Sequence, residues 1–213
     1  MNAAFQRHND WIIDYCHNAP DRLIGIGCLP IPDIDLAIEE MTRAAKLGVR
    51  GFMIPTHTPT DRPYHHEDYD PFWAAAEAMN LPLTMHIFVG TSPDGGMPKH
   101  WGTPGGTIKG YTMAFTTAVN AMIDIICGGV VERFPKLKFV IAEYEIGWLA
   151  HVLERLDHAA YRTPQHAVDY LRQTFPVESV FLELLYSFYV FDRKQLINIG
   201  LQRQRSKVNV AML

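Results

Sequence analysis

His86 and Glu143 are the two side chains of this sequence whose types and placement could do chemistry together. Each stands near the carboxyl end of a strand-like run, residues 81–89 (LPLTMHIFV) and 137–145 (LKFVIAEYE). In parallel α/β folds that edge of the sheet is where ligands bind and reactions occur. An imidazole and a carboxylate can hold a divalent cation, which lowers the pKa of its bound water toward ~7 and so supplies hydroxide for hydrolysis. The same ion can instead hold a substrate and stabilise developing charge while a nearby acid or base handles a proton, as decarboxylation requires. Two donors fall short of the three or four ligands a catalytic metal takes. The plain alternative is an interior histidine satisfied by hydrogen bonds and a glutamate paired with a neighbouring Arg or Lys.

Further candidates surround that pair. His57 follows the apolar run 49–54 (VRGFMI) at the same edge and is a candidate substrate contact, although a loop histidine between Pro55 and Pro59 is as readily just solvated. Trp101, with His100, lies in the Gly/Pro-rich stretch 90–110, whose length and composition suit a functional loop over a pocket, and is the second substrate-binding candidate. His65 and His66 are adjacent, so in extended chain they point opposite ways and do not chelate one ion. His151, Glu154 and His158 share one side of a helical run, but the opposite stripe is the apolar one, so they read as a solvated face. The glycines of 90–106 form no GxGxxG or phosphate-cradle pattern after a strand, and no nucleotide site follows from them.

Alternating strand-like and helix-like segments must position these groups. The run 23–29 (LIGIGCL) closes on Pro30 and Pro32; Asp33 or Asp35 can then cap a helix with Ile34, Ala37, Ile38, Met41, Ala44 and Ala45 on one face, and Gly48 ends it. Residues 49–54 form the next strand, 71–79 a helix, 81–89 a strand, 113–127 a helix, 131–134 a short turn, 137–145 a strand and 147–161 an amphipathic helix. The apolar segment 180–191 supplies a fifth strand. This order predicts a parallel sheet with right-handed crossovers, either an open doubly wound sheet or part of an eight-stranded barrel. Along 81–89, Leu83, Met85 and Ile87 oppose Thr84 and His86; along 137–145, Phe139, Ile141, Glu143 and Glu145 oppose Val140, Ala142 and Tyr144. Polar groups near the carboxyl ends of the strands suit a barrel interior better than an open sheet covered on both faces. The expected fold class is therefore α/β, a partial TIM-type (β/α) barrel of about five parallel strands.

The bulk composition narrows the partners. The 213 residues are 48% hydrophobic and 20% charged with net charge -4, which gives no electrostatic reason to bind nucleic acid or a membrane surface and leaves a small molecule as the default ligand. No apolar run is long enough to span a bilayer. Cys16, Cys28 and Cys127 are widely spaced and odd in number; they fit a reducing cytoplasm, as small buried hydrophobes rather than a disulfide framework.

Three linked segments then carry a resemblance: NDWIIDYCHNAPDRLIGIGCLPIPDIDLAIEEMTRAAKLGVRGFMIP, YDPFWAAAEAMNLPLTMHI and GGVVERFPKLKFVIAEYEIGWLAHVLERLDH. In this order they resemble the amidohydrolase-related family, in the branch that includes aminocarboxymuconate-semialdehyde decarboxylase. The likeness covers residues 9–158, with a weaker echo through YLRQTF and FDRKQLINIG to residue 200. It implies a metal-dependent barrel, with a divalent ion, zinc first, and either hydrolysis or nonoxidative decarboxylation of a small carboxylated or cyclic substrate. By the same resemblance His86 falls at the metal-binding histidine of the fifth strand. Glu143 falls at the sixth-strand position, where many members carry an active-site histidine and sequences similar to this one carry glutamate, with a proton-shuttling role. The family also opens with an H-x-H pair and ends with an aspartate in a segment such as SDYPH, and neither pattern is present. The chain is accordingly expected to be the middle of the barrel, one domain over 1–200 with a divergent tail at 201–213. The alternatives left open are an inactive remnant and a half-barrel that self-associates or takes a partner to complete its site.

Overall fold

The computed structural model describes residues 2–87, 102–163 and 188–191. A first helix, α1 (Asn2–Cys16), leads to β1 (Ile26–Cys28), α2 (Ile34–Lys46) and β2 (Gly51–Met53). A 3-10 turn (Glu67–Tyr69) runs into α3 (Asp70–Ala78), followed by β3 (Leu83–His86). Then come α4 (Pro104–Met113), α5 (Phe115–Cys127), the short α6 (Val130–Arg133), β4 (Phe139–Ala142), α7 (Gly147–Arg162) and β5 (Phe188–Phe191).

Local chemistry explains the best-formed unit. Asp33 caps α2 by accepting from the Leu36 amide at 3.1 Å, and Asp35 in the first turn with Arg43 and Lys46 in the last complement the helix dipole. Gly48 ends the helix at φ 112°, a left-handed conformation that the absent Cβ permits. Ala37, Met41 and Ala44 face the core, as their spacing predicts.

The strands pair in the order β1-β2-β3-β4-β5. The first four are parallel and each follows its predecessor in space, without the reversal of order that marks a doubly wound sheet. One face of this sheet, carrying Phe52, Leu83, Met85, Phe139 and Ile141, is buried against α2, α3 and α5 in a single core. The opposite face, with Ile26, Cys28, Met53, Thr84, His86 and Val140, is only half-buried among the described residues. Helices on one face and sequential strand order are the marks of a barrel arc rather than an open sheet. Under α3 the core is aromatic: Trp73 packs edge-on against Tyr64, Phe72 and Phe139, and the buried Tyr64 hydroxyl donates to the Pro55 carbonyl.

The structure corrects several expectations. Four strands, not five, are parallel: β5 runs antiparallel along β4, with Phe139 opposite Phe191. The FYVF segment has β propensity but no directional information, and the edge of β4 can accept either direction. The stretch read as a loop to residue 110 is helical from Pro104, because Thr103 caps it, accepting from Gly106 at 3.2 Å, and Pro104 starts its first turn. The helix expected over 113–127 breaks at Ala114 into α4 and α5. The three cysteines are free and half-buried rather than fully buried.

The helix α1 was not anticipated, yet it closes the β1 edge of the sheet. Asn9, fully buried, uses its carboxamide like a strand neighbour: Nδ2 donates to the Cys28 carbonyl (2.9 Å) and Oδ1 accepts from the Cys28 amide (2.8 Å). Its second amide hydrogen goes to the buried Glu40 (2.7 Å), which Arg43 also contacts through two hydrogen bonds of 2.8 Å. The outward amide and carbonyl of Cys28, on an edge strand with no neighbour on that side, are thereby satisfied by one side chain.

Candidate active site

The ladder between β3 and β4 ends with His86 opposite Ala142, and the site is built where it ends. His86 follows the alternation of β3 and lies on the half-buried face with Thr84. Its Nδ1 is 2.8 Å from the Ile87 carbonyl oxygen, which can only accept, so Nδ1 holds the ring proton and Nε2 is left to face outward.

Glu143 reaches the same place by breaking the alternation. Continued as strand, residue 143 would join Phe139 and Ile141 on the buried face, away from His86. Instead Glu143 has φ 63° and Glu145 has φ 57°, both left-handed and both costly for a residue with a Cβ. The two faces are exchanged: Tyr144 is buried in the core and Glu143 swings out, with Oε2 3.3 Å from His86 Nε2. Their side chains remain open to solvent, at 38% and 58% of full exposure.

A bare imidazole nitrogen and a carboxylate oxygen are both acceptors and repel at that distance. The contact is favourable only with a positive centre shared between them, either a proton or a metal ion. Two ligands each about 2.1 Å from one ion, near the tetrahedral angle, stand about 3.4 Å apart, so the pair fits as part of a divalent-metal site. It is not a whole one: among the described residues, no group of three or more His, Cys, Asp or Glu side chains converges to hold an ion.

The remaining candidates are placed less centrally. His57 follows β2 at the same edge, its Nδ1 3.4 Å from the hydroxyl of the buried Thr56, and burial pushes its imidazole below its ordinary range. No hydrogen bond or ion pair among the described residues ties it to the His86–Glu143 pair. Trp101 and His100 lie outside the described residues. His65 is 3.8 Å from Asp124 and His66 is 3.3 Å from Asp68, so the adjacent histidines serve different partners. His151, Glu154 and His158 are exposed along α7, as expected of a solvated face. Sequence reasoning missed Tyr144. Its neighbours' left-handed conformations had no signal, because they occur at glutamates rather than at glycine or asparagine.

A sequence profile described as amidohydrolase matches residues 1–181. The chain belongs to the amidohydrolase family. It is 28% identical to a gamma-resorcylate decarboxylase from Rhizobium sp. over an alignment covering 81% of this chain and 56% of that protein. A 2-amino-3-carboxymuconate-6-semialdehyde decarboxylase from Caenorhabditis elegans is 23% identical, with 63% and 44% covered. Among solved structures, a 5-carboxyvanillate decarboxylase from Novosphingobium aromaticivorans, complexed with manganese and 4-hydroxy-3-methoxy-5-nitrobenzoic acid, superposes with a TM-score of 0.62. It is 25% identical, with 77% of this chain and 46% of that one covered. The chain thus spans about half the length of the curated relatives it matches. These amidohydrolase-family neighbours have the TIM-type barrel of which the four parallel strands form an arc. No described helix is long and apolar enough to cross a membrane.

Proposed function

We propose that the His86–Glu143 edge belongs to the active site of a metal-dependent carboxy-lyase acting on a small carboxylated aromatic or cyclic acid. The observation that carries this reading is the 3.3 Å approach of His86 Nε2 to Glu143 Oε2 at the carboxyl edge of a parallel sheet. Similarity to three kinds of decarboxylase favours carbon–carbon cleavage over hydrolysis.

In such a site His86 would contribute Nε2 to a divalent ion, its ring held in the ligating tautomer by the Ile87 carbonyl. The bound ion would supply positive charge that orients the substrate's oxygens and stabilises the negative charge developed as carbon dioxide leaves. Loss of carbon dioxide leaves an electron pair on carbon that must receive a proton. Glu143, open to solvent and so able to exchange protons with water, is assigned to deliver it. His57 and Trp101 are assigned to substrate contact, His57 because it stands at the same edge of the sheet and burial favours the neutral form of its ring. Zinc is the first choice of ion for a nitrogen and oxygen donor set, and manganese, the ion in the solved relative, is the second. The free, half-buried cysteines support a reducing cytoplasm.

A second reading follows from the count of donors. With only a pair converging among the described residues, the site needs groups from elsewhere, and association of two copies, or of this chain with a complementary one, would supply them.

The test is metal titration and carbon dioxide release with 2,6-dihydroxybenzoate and 5-carboxyvanillate. The expected result is tight binding of zinc or manganese that His86→Ala abolishes, with decarboxylation by the loaded protein. Equal metal binding by the parent chain and His86→Ala overturns the reading. Metal binding that appears only in a dimer favours the second.

A further inference from the structure

We propose that Tyr144 is a positioning residue that holds Glu143 against His86, an inference that rests on reading those two side chains as the working pair. Its ring is buried in the core at 3% exposure. Its hydroxyl donates to the carbonyl of His86 itself at 3.2 Å, crossing from the end of β4 to the end of β3 beyond the last ladder pair. Thr117 Oγ1, on α5, lies 3.3 Å from the same phenol oxygen, and the Trp148 indole N–H, on α7, donates to the Tyr144 carbonyl at 2.8 Å. One residue is therefore fixed from three elements, through ring, hydroxyl and backbone.

The residues on either side of that anchor are the two left-handed glutamates. A left-handed conformation at a residue with a Cβ persists only where its surroundings over-determine it. Tyr144 supplies that determination. With the ring seated in the core and its hydroxyl held on the His86 carbonyl, the backbone is kept reversed at 143, and the reversal carries the Glu143 carboxylate onto the face of His86. Without the hydroxyl bond, Glu143 can relax toward extended backbone, where alternation directs its side chain away from the imidazole.

The phenol has no part in binding or proton transfer in this scheme, so its effect must pass through Glu143. Tyr144→Phe keeps the ring and deletes the hydroxyl; Tyr161→Phe, at a tyrosine 80% exposed on α7, is the control. The direct readout is the nuclear Overhauser effect between the His86 ring proton Hε1 and the Glu143 Hγ protons in metal-free protein. We expect Tyr144→Phe to lower the ratio of paired to unpaired conformers about fivefold, the change that one net hydrogen bond produces, with the control unaltered. Thr117→Val should move the signal in the same direction by less. An unchanged His86–Glu143 signal in Tyr144→Phe overturns the proposal, as does an equal loss in Tyr161→Phe. Should Tyr144→Phe fail to fold, an unchanged signal in Thr117→Val has the same force.

A manganese titration separates this proposal from the site reading beneath it. Tyr144→Phe should weaken manganese binding about fivefold in the parent chain and add nothing in a Glu143→Gln background, because both changes act on one contact. If the parent chain and His86→Ala bind manganese alike, the metal reading fails while the metal-free signal still decides the role of Tyr144. Equal losses in both backgrounds would show that Tyr144 acts on general stability and overturn the positioning role.

Discussion

Glu143 meets His86 because it leaves the strand. The last ladder pair is His86 with Ala142, and the left-handed turn at 143 (φ 63°) exchanges the faces that alternation would assign to residues 143 and 144. A site built this way stores backbone strain that a glycine would relieve. Glu143→Gly and Glu143→Ala both delete the carboxylate and differ only in the Cβ. The glycine variant should be the more stable by about 1 kcal/mol, since a left-handed residue with a Cβ costs about that much. Urea unfolding of the two variants measures the difference. Equal stability, or a more stable alanine variant, would mean that residue 143 is extended in solution.

The Asn9 carboxamide is the second point where one side chain holds much of the structure. Asn9→Ala removes three hydrogen bonds at once, two to the backbone of Cys28 and one to Glu40, and takes from the Cys28 amide and carbonyl their Asn9 partner while Glu40 keeps Arg43. The expected loss is about 3 kcal/mol, because unsatisfied buried groups forfeit their full hydration. Asn9→Asp puts a carboxylate against the Glu40 carboxylate and the Cys28 carbonyl, so its deficit should grow as pH rises through the carboxylate range. Denaturation midpoints between about pH 4 and 7 give the slope. A flat difference would show that the Asn9 side chain does not sit beside Glu40.

Stability should also have an acid limb from Glu40. Burial is the largest single influence and pushes its carboxyl up, but hydrogen bonds from Arg43 and Asn9 and the charge of Arg43 together outweigh it and hold the group below the usual carboxylate range. With the folded value lower than the unfolded one, the contribution is complete above about pH 4.3 and is lost as pH falls through the folded value. Glu40→Gln should flatten that limb of the stability–pH curve. His57, pushed down by burial, gives the same sign in a higher window: its contribution is full above about pH 6.5 and declines below, and His57→Gln should remove it. Persistence of either limb in its variant would reassign it.

The elements that can be read from this sequence are those whose signals are local. The Asp33 cap, the apolar stripe of Ala37, Met41 and Ala44 and the terminating Gly48 place α2 without knowledge of anything distant, and α7 follows from its own stripe. The strands can be read as apolar runs but prove shorter than those runs, three or four residues each, because the ladder ends before the hydrophobic pattern does. His86 is found where period-two alternation puts it. Glu143 is found beside it for a reason alternation does not contain, since the reversal depends on Tyr144, Thr117 and Trp148 meeting across three elements. Asn9 and Glu40 are equally opaque: a polar residue on a surface-type helix gives no sign that it is 19 positions away from the strand it completes. The α4 start carries a local signal, Thr103 before Pro104, but Gly105, Gly106 and Gly110 lower the helix propensity of the same segment.

Close packing between α5 and the segment before α3 sets a prediction of opposite signs at two glycines. A Cβ at Gly128 would overlap His65 Cβ and stand 2.6 Å from the Asp124 carbonyl oxygen, and the second of these is backbone that cannot rotate away. Gly128→Ala must therefore displace the 65–66 turn, along with the His65–Asp124 contact at 3.8 Å. The expected loss is about 3 kcal/mol, at the upper end for overpacking. At Gly105, in the first turns of α4, a Cβ meets nothing within 4 Å. Gly105→Ala should instead gain up to about 1 kcal/mol from reduced backbone entropy in the unfolded chain. Thermal and urea unfolding of both variants check the pair. A tolerated Gly128→Ala would place the His65 turn away from α5, and a destabilising Gly105→Ala would mean that α4 is not helical at its start.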